Sequence, residues 1–174
     1  MPLNREVVLD AAVKLLDETG LDELSTRKLA DSLGVRVGAL YWHYPSKQAL
    51  LDAIAEQILT EAAAAPLPET GWRDAVRAFA LAHRNAMLAH PDGARIVAGM
   101  SAPGPAARAF LQHLLDALAG IATEPAGAAD VVTSYVNGFA IEEQARKTAQ
   151  PRALRDAGFE TGIAVIVAGL EALR

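Results

Sequence analysis

The stretch Thr26 to Lys47, TRKLADSLGVRVGALYWHYPSK, constrains the chain more than any other. Ser25 or Thr26 offers a side-chain oxygen that can cap a helix. Leu29 and Leu33 are four apart and share a helical face. Gly34 permits the positive φ that a tight turn requires. A further helix then starts near Val37 and runs to about Tyr44, because Pro45 keeps the residue before it out of α geometry. The spacing predicts two short helices around a sharp turn, with Ala30 at their crossing and Val35 and Leu40 closing a small core. An ordinary αα-hairpin has the same needs. What separates the two readings is the cluster Tyr41-Trp42-His43-Tyr44, which holds too many polar-tipped aromatics for a helix with one buried face. It points to a helix-turn-helix that docks on DNA.

Charge agrees. The chain carries a net −5, from 16 Lys and Arg against 21 Asp and Glu, which argues against non-specific coating of nucleic acid. Between Ser25 and Lys47 the balance reverses, with Arg27, Lys28, Arg36 and Lys47 against Asp31 alone. A small basic face sits inside an acidic chain.

The flanking sequence reads as helix throughout. Apolar residues make up 52% of the chain, mostly Ala and Leu, and alternating β patterns are missing. Asn4 caps a first helix whose Val8, Ala11, Ala12, Leu15 and Leu16 form a half-buried stripe that Gly20 ends. Ser46 caps a fourth, running to about Ala65 with Leu50, Leu51, Ile54, Ile58 and Leu59 inward. Pro66 to Gly71 is the clearest break. Later helices are expected over Trp72–His90, after the turn Pro91-Asp92-Gly93 to about Met100, and over Ala106–Ala119, Glu124–Thr148 and Asp156–Leu173. The fold class is therefore all-α, with residues 1–65 forming a three-helix helix-turn-helix domain plus a connecting helix from 46, and 66–174 a second helical domain. Zero cysteines exclude disulfides and thiolate zinc sites and fit a reducing cytoplasm. The N-terminus lacks a signal-peptide pattern, and the apolar run Ile163–Leu170 is too short to span a bilayer, so a cytoplasmic protein without membrane contact is expected.

The text LSTRKLADSLGVRVGALYWHYPSKQALLDAI, preceded by LLDETGLDEL, resembles the tetracycline-repressor (TetR) family of transcriptional regulators, most closely the tetracycline repressors themselves. The resemblance continues more weakly through His90 to Arg95 and Gly138 to Glu142. It implies an all-helical homodimer that places two recognition helices in successive major grooves of a pseudo-palindromic operator, about 34–36 Å apart. Carried over by position, Thr26 and Arg27 meet phosphate or base, with Arg27 suited to a bidentate guanine contact. Arg36, Val37, Gly38 and Ala39 form the base-facing start of the third helix. Tyr41, Trp42, His43 and Lys47 clamp the backbone. The small Gly38 and Ala39 depart from close relatives and imply a different operator. The body of Trp42 is expected to pack against the first or fourth helix.

The resemblance also implies an effector pocket and a dimer interface in the second half. Its candidates are Phe79, His83, Val97, Met100, Gln112, Val136 and Glu142, although plain core packing explains Phe79, Val97, Met100 and Val136 as well. Val97 aligns with a histidine through which tetracycline repressors bind their drug with magnesium, and valine ligates no metal. Another, fairly apolar effector is expected, with no cofactor and no metal site. The last two long helices are expected to pair with their symmetry mates as a four-helix bundle. The leading reading is a ligand-responsive repressor that a small effector releases from DNA. A constitutive DNA-binding regulator without effector is the alternative. More distant is a small metal-binding protein or enzyme using His83, His90 and Glu142, which lacks the i, i+4 histidine spacing of a zinc helix.

Overall fold

The computed structural model describes residues 2–66, 71–146 and 151–172, and among them the regular structure is helical throughout. α1 (Arg5–Thr19) starts where the Asn4 side chain accepts from Val7 N at 2.8 Å. Val8, Ala12 and Leu16 are fully buried along it, and Gly20 closes it. α2 (Thr26–Leu33) starts where Ser25 Oγ accepts from Lys28 N at 3.2 Å. It ends at Gly34, left-handed at φ 66°. α3 is shorter than the sequence predicts, Val37–Tyr41, because the chain tightens before Pro45: the His43 and Tyr44 amides both donate to Leu40 O. Ser46 caps α4 (Lys47–Ala63).

α4 is the spine. It packs on α1, α5 (Trp72–Ala89), α6 (Gly93–Ala98) and α7 (Pro105–Leu118). Proline opens α7 and α8 (Pro125–Ala145), where its missing amide is no loss. α9 (Arg152–Ala172) packs on α8 and α5. The ends predicted at Thr148 and Leu173, and most of the Pro66–Gly71 break, lie outside the described residues.

One buried ionic knot ties α5, α8 and α9 together. Arg84 on α5 is 4% exposed and bonds Glu143 of α8 twice at 2.9 Å and Asp156 of α9 at 2.8 Å. Its guanidinium also lies 4.8 Å from the Phe159 ring centroid. Glu143 is the buried member of its acidic pair, whereas Glu142 points outward and pairs with Arg146. Removing one partner of such a knot would strand a buried charge.

The outer side of α8 and α9 is apolar and open in the protomer. Val131 is 56% exposed and Val165 67%. No helix among the described residues is long and apolar enough to cross a membrane.

Candidate functional site

The reading head is α1 to α3 with the start of α4. Leu29, Ala30 and Leu40 are buried inside it, so α2 and α3 cross as the spacing requires. On the outside, Arg27, Arg36, Gly38, Tyr41, Trp42 and Lys47 are exposed, while Thr26, Val37, Ala39 and His43 are half-buried. Val37 packs against the core. The exposed stripe of α3 is therefore Gly38, Tyr41 and Trp42, at i, i+3 and i+4.

Two aromatic assignments change. Trp42 does not pack against α1 or α4; it is 90% exposed. Tyr44 takes the packing role and is 5% exposed. Its hydroxyl donates to Arg5 O at 3.1 Å, and the Arg5 guanidinium lies 4.5 Å from its ring centroid and donates to His43 O at 3.0 Å. Tyr44 lies four positions after Leu40, one helical turn on a shared face, and that spacing was the signal for which aromatic turns inward. Arg5 carried no such signal. Lys28 is held by Glu23, which leaves Arg27, Arg36 and Lys47 as the cations of the outer face.

The second half brings some of its candidates together and separates others. Phe79, His83, Val97 and Val136 are buried, and Met100 half-buried. Phe79 stacks on Phe110 with ring centroids 4.4 Å apart, and His83 meets both rings edge-on at 5.7 Å. His83 is 5% exposed, and neither ring nitrogen has a hydrogen-bond partner among the described residues. Burial drives its pKa down to about 4, so the ring is neutral at pH 7. Gln112 and Glu142 lie on the protomer surface, where Gln112 bonds Asp116 and Glu142 bonds Arg146. Phe110 escaped the sequence reading, though it shares a stripe with Leu114 and Leu118 on α7.

His83, His90 and Glu142 do not converge. His90 bridges two other elements, with Nδ1 2.8 Å from Asp17 of α1 and Nε2 3.1 Å from Glu61 of α4. Burial alone would lower its pKa, but the bonds and charges of Asp17 and Glu61 outweigh that and raise it.

α4 joins the two halves. On one of its faces Gln48, Asp52 and Glu56 recur every four residues. Gln48 donates to Gly99 O at 3.2 Å, Asp52 accepts from Ser101 N at 3.0 Å, and Glu56 accepts from Gly104, Ala106 and Ala107 N. The helix that carries Lys47 is thus pinned to the segment between α6 and α7. Nearby, Asp92 accepts from Leu21 N at 3.1 Å, tying the start of α6 to the end of α1.

A basic helix-turn-helix head, pinned through one helix to a body with a buried, unpaired histidine, defines a DNA-binding regulator. Comparison with known proteins agrees over nearly the whole chain. Residues 8–54 match the bacterial regulatory proteins of the tetR family, and 65–157 the tetracyclin repressor-like C-terminal domain. The class C tetracycline repressor of Escherichia coli is 37% identical, covering 99% of this chain and 92% of its own. A single-residue variant of TetR from Acinetobacter baumannii, solved in complex with minocycline, superposes with TM-score 0.88 at 38% identity, covering 99% of each chain. BioQ bound to its natural double-stranded DNA operator superposes with TM-score 0.87 at 34% identity, covering 98% of this chain and 99% of that one. The chain belongs to the TetR family of transcriptional regulators, a family of DNA-binding repressors rather than enzymes.

Proposed function

We propose that this chain is a cytoplasmic, homodimeric repressor whose operator affinity is set by an aromatic effector seated at Phe79, His83 and Phe110. The observation that carries the effector is His83. A buried imidazole with two unpaired nitrogens is unfavourable by about 1–3 kcal/mol, and a ligand that bonds it relieves that penalty. Phe79 and Phe110 supply flat carbon surface, so the matching ligand is planar, largely apolar and carries one hydrogen-bonding group. Val97 offers no metal ligand, which argues for a magnesium-independent effector. Gln112 and Glu142 face outward in the protomer and serve this site only across a dimer. Such an effector need only prefer the geometry that misfits DNA, and a coupling of about 1–3 kcal/mol suffices.

The Gln48, Asp52 and Glu56 bonds supply the route, because movement of the α6–α7 segment displaces α4 and with it the head. Arg27, Arg36, Gly38, Tyr41 and Trp42 face the groove, with Thr26, His43 and Lys47 at the phosphates. The partner copy covers the outer faces of α8 and α9, where Val131, Ile166, Gly169 and Leu170 line an open apolar groove.

The test is fluorescence anisotropy of a duplex from the chain's own upstream DNA, titrated with protein and then with planar phenols and aromatic amides. Saturable binding that one compound reverses, coupled to a thermal shift of the free protein, is expected. Failure to retain any upstream duplex contradicts the repressor; binding that no compound alters favours the constitutive regulator.

A further inference from the structure

Gly38 sits inside α3 at an ordinary helical φ, and a Cβ built on it would meet nothing within 4 Å. Neither the backbone nor the packing of this chain calls for glycine there. Gly34 is the contrast, because its φ of 66° is a conformation that other residues rarely adopt. A helix-interior glycine weakens its helix, and its bare Cα lets another molecule come close to the backbone. Two other helix-interior glycines share this openness, Gly138 on α8 and Gly169 on α9. Both lie on the helices assigned above to the partner copy.

The surroundings of Gly38 define what approaches. Tyr41, 47% exposed, and Trp42, 90% exposed, lie one turn on along the same face. Val37 and Ala39 flank it with half-buried apolar groups. Arg27 and Arg36 are exposed on the same head, but Val37, Gly38 and Ala39 carry no polar side chain. In the major groove guanine, cytosine and adenine present polar atoms, whereas thymine adds a C5-methyl. A polar edge pressed against a bare Cα and ring carbon loses water and gains no partner. A methyl group loses nothing.

We propose that Gly38 is a specificity-determining residue of the recognition helix, its bare Cα seating the C5-methyl of one thymine in each operator half-site beside the Tyr41 ring. The inference rests on the DNA-reading function proposed above. It assigns selectivity to a missing side chain rather than to a hydrogen bond.

The experiment selects a duplex from a random pool with the native full-length protein, then replaces its thymines singly by deoxyuridine, which removes the methyl alone. One thymine per half-site should weaken binding about fourfold, the equivalent of about 0.8 kcal/mol per buried carbon. Gly38→Ala should melt at or above the native temperature, since its Cβ enters open space. It should bind the thymine duplex about tenfold more weakly, because an extra methyl overpacks a closed interface. On the duplex with deoxyuridine at that thymine, Gly38→Ala should regain affinity as the two methyls no longer compete. Equal affinity of Gly38→Ala and native protein for the thymine duplex overturns the inference, as does an equal loss on both duplexes. A lowered melting temperature contradicts the open space on which it stands. A selection that enriches no duplex overturns the DNA-reading function and this inference with it.

Discussion

Replacing His83 by leucine should make the protein more stable and less responsive. The imidazole is 5% exposed, meets Phe79 and Phe110 edge-on, and bonds nothing among the described residues through either nitrogen. Leucine fills a similar volume and has no polar atom to strand, so the unpaired-group penalty of about 1–3 kcal/mol is recovered at neutral pH. For a chain of this size that is a rise in Tm of roughly 2–12 °C. A second, independent signature lies in acid. The folded ring has a pKa of about 4 against an ordinary 6.5. Below pH 6.5 the unfolded chain therefore takes up a proton that the folded chain refuses. Native stability falls from pH 6.5 towards 4, by about 3 kcal/mol over the window at about 1.36 kcal/mol per unit. The leucine variant lacks this contribution, so its advantage over native protein should grow by that amount between pH 7 and pH 4. Denaturant melts of both proteins at the two pH values read the difference directly. In the anisotropy titration the variant should bind operator normally and respond to no effector. A variant less stable than native at pH 7, with an unchanged gap at pH 4, would show that His83 is well partnered and refute the reasoning.

Four further outcomes are expected. His90 titrates in the opposite sense, its pKa raised by Asp17 and Glu61, so its contribution is full below about pH 6.5 and disappears as pH rises through the folded value; the Tm of His90→Gln should fall less than that of native protein between pH 6 and 8. Val165→Glu places a charge on the exposed apolar face of α9 and should give a folded monomer by light scattering, with operator affinity reduced by orders of magnitude. Effector release should be unchanged by chelator, measured with and without magnesium, because Val97 supplies no ligand. Asp52→Ala removes the acceptor of Ser101 and should leave operator affinity within about threefold while weakening effector response by about 1 kcal/mol, as a coupling residue would.

The reading head was legible because local rules decide it. Asn4, Ser25 and Ser46 each cap the helix their side chains predict, and Gly34 takes the left-handed turn. What the sequence misplaced was the aromatic of the cluster that turns inward, expected to be Trp42, which is 90% exposed. Tyr44 turns inward instead, through Arg5, a residue 39 positions away, and no local pattern reports a contact at that range. The second half was legible only as helices. Its stripes of Ala, Leu and Val look alike whether they meet a ligand, a neighbouring helix or a partner chain. Phe79 and His83 meet at Phe110 through the packing of α5 on α7, and Gln112 and Glu142 turn outward although their positions resembled a pocket. The ladder from Gln48 to Glu56 reads as an ordinary solvated face until the α6–α7 segment folds against it.

We propose that the exposed cations of the head hold this protein on operator DNA. The most direct test of this claim is the salt dependence of affinity for the selected duplex, measured for native protein, Arg27→Ala and Lys47→Ala. The claim predicts a steep loss of affinity with salt. Lys47→Ala should lower the slope by about two for a symmetric pair of lost phosphate contacts. Arg27→Ala should weaken binding by at least about tenfold. Native affinity and an unchanged slope in both variants would contradict it.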